Sequence, residues 1–262
     1  MSFQEMLEAL PMWGVLLAFA LVALLLYEVG FRIGRWWQKR TPEEKEGPTG
    51  MLVGSLLALM AFLLAITMSM ASDRYDTRRG LVLAEANSIG TTYLRAGYLP
   101  EPASSQSREL LKEYVPLRIG TTDTEDLAAN LVRSDEILGE LWSIAEGLAK
   151  DEPGSDVLAL YIDSLNETID MDTSRVIAAL YARVPDTVLL LLFVGSALAL
   201  GMVGFSAGLT RRRSPLTTIV MAVVLGAVVT LIVDIDRPQG GTLTVSQQPI
   251  IELQMQLEST SP

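Results

Sequence analysis

Apolar residues fall into four long blocks separated by polar stretches. The blocks cover Met12–Phe31, Met51–Met70, Thr187–Leu209 and Leu216–Val233. About 20 helical residues cross the ~30 Å of hydrocarbon in a bilayer, so each block has the length of a membrane span. Two short basic connectors, 32–50 and 210–215, join the first block to the second and the third to the fourth. The pattern predicts an all-α membrane protein. It has four transmembrane helices in two hairpins, with a helical extramembrane domain between the second and third spans.

The flanks refine this layout. Within residues 1–11, Phe3, Met6, Leu7 and Leu10 recur at helical spacing, which predicts a short interfacial helix. The acidic start and the lack of a clear cleavage site argue against a signal peptide. Trp13, Trp36 and Trp37 bracket the first span as an aromatic belt would. The second span has no charge, and no proline occurs between Thr49 and Leu99. One helix is therefore expected to leave the membrane at Asp73 and continue to about Gly97.

Residues 71–185 form the extramembrane domain, read as about four helices continuous with the second and third spans. Val82, Ala86, Ile89, Tyr93 and Gly97 share one helical face. Leu127, Leu131, Leu138, Leu141, Ala145 and Leu148 share another, and Leu158, Tyr161, Leu165 and Ile169 a third. Pro100 with Pro102, residues 120–124 and residues 151–155 supply the breaks. The tail, 234–262, carries a strand-like TLTV and an amphipathic helix from about Pro249 to Leu257.

Composition narrows the chemistry. The chain of 262 residues is 50% hydrophobic with a mean hydropathy of +0.34, yet 19% is charged, so the apolar residues must be segregated. No alternating pattern of a membrane barrel is present. Cysteine and histidine are both absent, which excludes disulfides, thiolate chemistry and Cys/His zinc sites. An oxygen-ligated divalent cation is compatible with the composition, but no cofactor is expected. The net charge of −11 argues against nucleic acid as a partner. Enzyme signatures are missing: there is no Walker loop, no glycine fingerprint after a strand and no G-x-S-x-G. The chain is therefore not expected to be an enzyme.

Charge also addresses sidedness. Both connectors lie on one side, with Arg32, Arg35, Lys39, Arg40, Lys45 and Arg211–Arg213. The other side carries Arg74, Arg78, Arg79, Arg175 and Arg183. The positive-inside rule places the connectors in the cytoplasm, and the termini and middle domain outward from a bacterial inner membrane.

The stretch FLLAITMSMASDRYDTRRGLVLAEANSIGTTYLRAGYLP, Phe62 to Pro100, resembles a bacterial membrane family described as bestrophin-like. The stretch DIDRPQGGTLTVSQQPIIELQ, Asp234 to Gln254, is similar to the same family's closing motif. The resemblance implies a distant likeness to bestrophins, which are oligomeric anion channels with four membrane helices per subunit and a pore lined by the second. It implies a homo-oligomer, a pentamer by analogy, with the lipid bilayer and inorganic ions as partners. It also implies a cytoplasmic helical domain, against the charge count.

Four features are candidates for function. On the second span, Ser55, Leu59, Phe62, Ile66, Ser69, Asp73 and Asp76 follow at steps of three and four and share a face. Leu59, Phe62 and Ile66 would form a hydrophobic constriction with polar ends, or the stripe is a packing seam between helices. Asp73, Asp76, Asp186, Asp234 and Asp236 end the spans on one membrane face. In a symmetric oligomer they would make an acidic ring, or they are interfacial ion pairs anchoring helix ends. Glu28, the one charge in the first span, is either an ion or proton site or a group reaching for the headgroups. Ser88 and Thr92, with Asn87 and Thr91, form a polar patch near Gly80, Gly90 and Gly97, which permit close helix approach. The expected function is an ion-conducting pore. The alternative is a membrane-anchored sensor or scaffold whose acidic domain, about 20 carboxylates against 11 basic residues, binds a protein partner.

Overall fold

A computed structural model describes residues 3–41, 47–120, 124–237 and 241–259. Among these the chain is helical throughout its regular structure, with no strand. The helices are α1 (Phe3–Glu8), α2 (Met12–Arg40), α3 (Gly47–Ala96), α4 (Ala103–Leu117), α5 (Thr124–Asp151), α6 (Asp156–Leu180), α7 (Asp186–Thr210), α8 (Pro215–Asp236) and α9 (Gln248–Ser259). Four of them, α2, α3, α7 and α8, are long and apolar enough to cross a membrane.

Local chemistry sets several ends. Pro11 precedes α2, and Lys39 and Arg40 close it where cations favour the helix dipole. Pro215 opens α8 at a position where a missing N–H costs nothing. Ser155 caps α6, its side chain accepting from the Leu158 N–H at 3.3 Å.

The helices differ from the expected boundaries in four places. The connector taken as a loop over 32–50 is largely helix: α2 runs on to Arg40 and α3 already starts at Gly47. Its residues 42–46, with Lys45, lie outside the described residues, as do 1–2, 121–123 and 260–262 of other expected segments. Second, α6 does not run into the third span. It ends at Leu180, and α7 begins at Asp186. Pro185 disfavours helical backbone at Val184, which breaks the helix there. Third, TLTV is not a strand, because a lone segment with no partner edge has nothing to pair with. Fourth, the tail helix α9 starts at Gln248 and runs on to Ser259, two residues beyond the expected Leu257.

The chain divides into two compact units, one of 1–74 with 183–243 and the other of 75–182 with 244–262. In the first, α2 and α7 meet backbone to backbone. A Cβ added at Gly30 would overlap the carbonyl of Gly201, one at Gly34 that of Phe205, one at Gly204 that of Tyr27, and one at Gly208 that of Phe31. The paired numbers rise together, so the two helices run parallel. In lipid there is no hydrophobic drive between apolar helices, and small residues that admit close backbone contact supply the association. Phe19 and Phe193 add an edge-on ring contact at 5.5 Å. At Gly226 of α8 a Cβ would come within 2.9 Å of Leu16 and Phe19 of α2.

In the second unit the core is one cluster. Val82, Ala86, Ile89 and Tyr93 of α3 meet Leu111, Tyr114 and Val115 of α4, Ile137, Leu138 and Leu141 of α5, and Leu158, Tyr161 and Leu165 of α6. Ile250, Leu253 and Leu257 of α9 complete it. Burying each such side chain contributes about 1.5–3 kcal/mol before ordering costs, which is why the tail helix joins this unit. Gly90 lies against Leu253, with 3.3 Å to an added Cβ, whereas Gly80, expected to allow close approach, has nothing within 4 Å.

Candidate functional site

Every member of the α3 stripe is exposed in the chain: Ser55, Leu59, Phe62, Ile66, Ser69, Asp73 and Asp76. Phe62, the largest, is 61% exposed. The opposite face of the same helix is covered, with Val53, Met60, Leu64, Thr67 and Ala71 buried. Met60 reaches α7, its sulfur 2.8 Å from where a Cβ on Gly195 would stand. Only 17% of the α3 span is buried within the chain, against 39% for α2, 39% for α7 and 28% for α8. A seam between helices of the same chain is therefore not what occupies this face.

The five span-end aspartates are not equivalent. Asp73 and Asp76 are exposed, Asp186 is half-buried, and Asp234 and Asp236 are buried. Asp234 accepts from the Thr242 N–H at 2.8 Å and from the Thr242 hydroxyl, folding the chain back over the end of α8. Asp236 accepts from the Val184 N–H at 2.9 Å, the backbone donor freed by the break before α7. Arg237 donates through Nη2 to the carbonyls of Leu7 and of Leu10, the latter at 3.0 Å. The DIDR sequence thus ties 7–10, 184 and 242 together. Asp186 keeps one buried oxygen without a hydrogen bond among the described residues. No group of three or more carboxylates there is spaced to hold a metal ion.

Glu28 is half-exposed and paired. It accepts from Arg32, one turn on, at 2.9 Å and from Arg213 of the α7–α8 turn at 2.6 Å. That arrangement ties the α7–α8 turn to the last turns of α2.

Sequence reasoning missed a buried ionic network in the second unit. Glu85 is fully buried and accepts from Arg118 Nε at 2.6 Å and from Arg175 Nη1. Arg118 also pairs with Asp172 at 2.8 Å, and the Tyr114 hydroxyl donates to the same carboxylate at 3.0 Å. Arg175 Nη2 donates to the Arg118 carbonyl at 2.9 Å and to Gln247, just before α9. Two cations balance two carboxylates, the condition under which buried charges are tolerated. Burial opposes the charge on Arg118, but Tyr114, Glu85 and Asp172 outweigh it and hold its pKa above the ordinary value. Burial pushes the Tyr114 phenol well up, Arg118 opposing and Asp172 and Glu85 adding. A signal existed: Glu85 lies between Val82 and Ile89 on the apolar face of α3. The predicted polar patch divides, with Ser88 and Thr92 buried and Asn87 exposed. Thr92 lies 2.9 Å from Thr168 Oγ1 and donates to the Ser164 carbonyl at 2.9 Å, linking α3 to α6.

Comparison with known proteins agrees with this architecture. No curated protein sequence matches the chain. Among solved structures, a substituted variant of a bacterial bestrophin homologue from Klebsiella pneumoniae superposes with a TM-score of 0.69 at 14% identity, covering 93% of this chain and 98% of that one. A second structure of the homologue gives 0.66 at 13% identity, covering 95% and 98%. Another variant gives 0.70 at 14%, covering 93% and 96%. At such identities the likeness speaks for the fold. The Bestrophin-like domain matches residues 17–250, nearly the whole chain, and the protein belongs to that family.

Proposed function

We propose that the protein assembles with copies of itself into an ion-conducting complex in which α3 lines the path. Leu59, Phe62 and Ile66 form the apolar constriction, Ser55 and Ser69 flank it, and Asp73 and Asp76 charge one mouth. The observation that carries this is the exposure of the entire stripe on the least buried of the four spans. An apolar constriction closes a pore by dewetting, and a small increase in radius or polarity rewets it. Five subunits is the number the bestrophin resemblance implies. Asp234 and Asp236, already engaged by backbone donors, hold the unit together instead of facing ions. Glu28 does the same at the opposite end of α2. The reading assigns no catalytic step.

Reconstitution into liposomes tests it. Phe62→Ala or Ile66→Ala is expected to raise ion flux at least several-fold over the parent, and Leu59→Ser further. Absence of flux under any gradient from folded protein, in parent and variants alike, contradicts the proposal.

We place the protein in the bacterial inner membrane with the α2–α3 and α7–α8 connectors in the cytoplasm. The chain has no cysteine, so single-cysteine labelling is clean. Ser105→Cys is expected to react with an impermeant maleimide in intact cells and Ser214→Cys only after lysis. The reverse outcome places the helical domain in the cytoplasm.

A scaffold is the second reading. It is favoured by a groove of about 360 Å³ in the second unit, between Leu83, Asn87 and Leu94 of α3 and Glu252 and Gln256 of α9. Crosslinking from the groove, at Asn87 or Gln256, that recovers one stoichiometric protein, with no flux, supports it.

A further inference from the structure

We propose that the last turns of α2 and the α7–α8 turn form a binding site for the phosphate headgroup of an anionic phospholipid, held by Arg35, Lys39, Arg211 and Arg212 at the level of Trp36 and Trp37. The inference stands apart from conduction and is tested without it.

Charge makes the first argument. In a chain of net charge −11, Arg32, Arg35, Lys39, Arg40, Arg211, Arg212 and Arg213 gather here against Glu28. Counting Glu43, Glu44, Lys45 and Glu46 of the connector as well leaves eight cations against four carboxylates, a net of +4.

The second argument is how the cations are used. Arg32 and Arg213 are spent on Glu28, and Arg213 also lies 4.1 Å from the centre of the Phe31 ring. Arg40 stacks 4.0 Å over Trp36. Arg35, Lys39 and Arg212 are exposed and have no carboxylate or hydrogen-bond partner among the described residues. Arg35 and Lys39 stand one turn apart on the same face of α2. Arg211 is brought to that face by its Nε, which donates to Gln38 at 2.9 Å and leaves the terminal nitrogens of the guanidinium for a ligand.

Backbone makes the third argument. Arg211 ends α7 in the left-handed region, at φ 55 and ψ 20. Glycine adopts that conformation freely and is the common residue at such a cap. An arginine held there with its head turned onto α2 is a strained choice of the kind that collects at binding sites.

The surroundings select a lipid over a soluble anion. Leu17, Leu21 and Leu25 run along α2 as exposed apolar residues on the side of Arg35 and Lys39, a track for an acyl chain below its headgroup, and Trp36 and Trp37 stand at the headgroup end of the helix. Indoles favour the headgroup level, and basic pockets between membrane helices suit phospholipid phosphates.

Native mass spectrometry of the delipidated full chain tests the site. Phosphatidylglycerol and phosphatidylethanolamine with identical acyl chains are titrated separately. Phosphatidylglycerol is expected to bind preferentially. Arg35→Gln, Lys39→Gln and Arg212→Gln should each weaken it about five-fold, with phosphatidylethanolamine unchanged. Lys150→Gln, a surface change in the second unit, should alter neither. Equal binding of the two lipids, or unchanged phosphatidylglycerol affinity in the folded single variants, overturns the proposal. Displacement of the lipid by millimolar inorganic phosphate overturns it too, in favour of a soluble phosphate site.

Discussion

Replacing Glu85 by glutamine is the sharpest test of the second unit. Glu85 has no exposure, and both its oxygens are engaged by guanidinium groups. With Asp172 it balances Arg118 and Arg175. Glu85→Gln keeps the shape but leaves buried Arg118 and half-buried Arg175 facing one carboxylate. It also turns an amide NH2 toward a guanidinium donor. Removing one partner of a buried pair costs about 3–5 kcal/mol, most of it the uncompensated charge. Against a domain stability of roughly 5–15 kcal/mol, that is a large fraction. For a unit of this size the melting temperature should fall on the order of 10 °C or more. Thermal unfolding in detergent, followed by circular dichroism, reads the shift. The companion variant Glu85→Met with Arg175→Met removes one cation with the carboxylate and should recover most of the loss, a coupling that a double-mutant cycle measures. A Glu85→Gln protein that melts within a degree or two of the parent would refute the account of this network.

Three further outcomes rest on the packing and the titration. Gly204→Ala should lower stability by about 1–3 kcal/mol, because its Cβ meets the backbone carbonyl of Tyr27, which cannot swing aside; Gly80→Ala, with open space around it, should stabilise the helix by about 0.5–1 kcal/mol in the same melt. The folded Tyr114 phenol is raised above its ordinary 10.0, first by burial. Below pH 10 it is protonated in both states and stability is at its full value. Above that, the unfolded phenol ionises first and stability falls until the folded value is passed. Tyr114→Phe should flatten this alkaline decline by up to about 1.4 kcal/mol per pH unit, read from denaturation midpoints between pH 9 and 11.

Hydropathy made the four spans legible because block length and lipid thickness are tied by helix rise. Periodicity made much of the helical core legible: Val82, Ala86, Ile89 and Tyr93, or Leu158, Tyr161 and Leu165, can face only one way. The remainder depended on which element covers which. Ile250, Leu253 and Leu257 announce an amphipathic helix, yet nothing local says that α4 is its partner. Gly30, Gly34, Gly204 and Gly208 carry small residues at four-residue spacing, a signal overlooked because hydropathy scores glycine as neutral. From sequence, Asp234 and Asp236 read as members of an acidic ring or as interfacial ion pairs at a helix end. Their partners are the backbone N–H groups of Thr242 and Val184, which sequence does not display. The stripe from Ser55 to Asp76 was legible as a face, and the structure adds that the chain leaves it uncovered.

That uncovered face is the centre of the functional account. The most direct test is ion flux from liposomes holding the parent protein and, separately, Phe62→Ala and Ile66→Ala. The account predicts flux that rises several-fold in both variants, with no change for an opposite-face control such as Met60→Leu. Flux that is absent throughout, or present but indifferent to residues 59, 62 and 66, contradicts it.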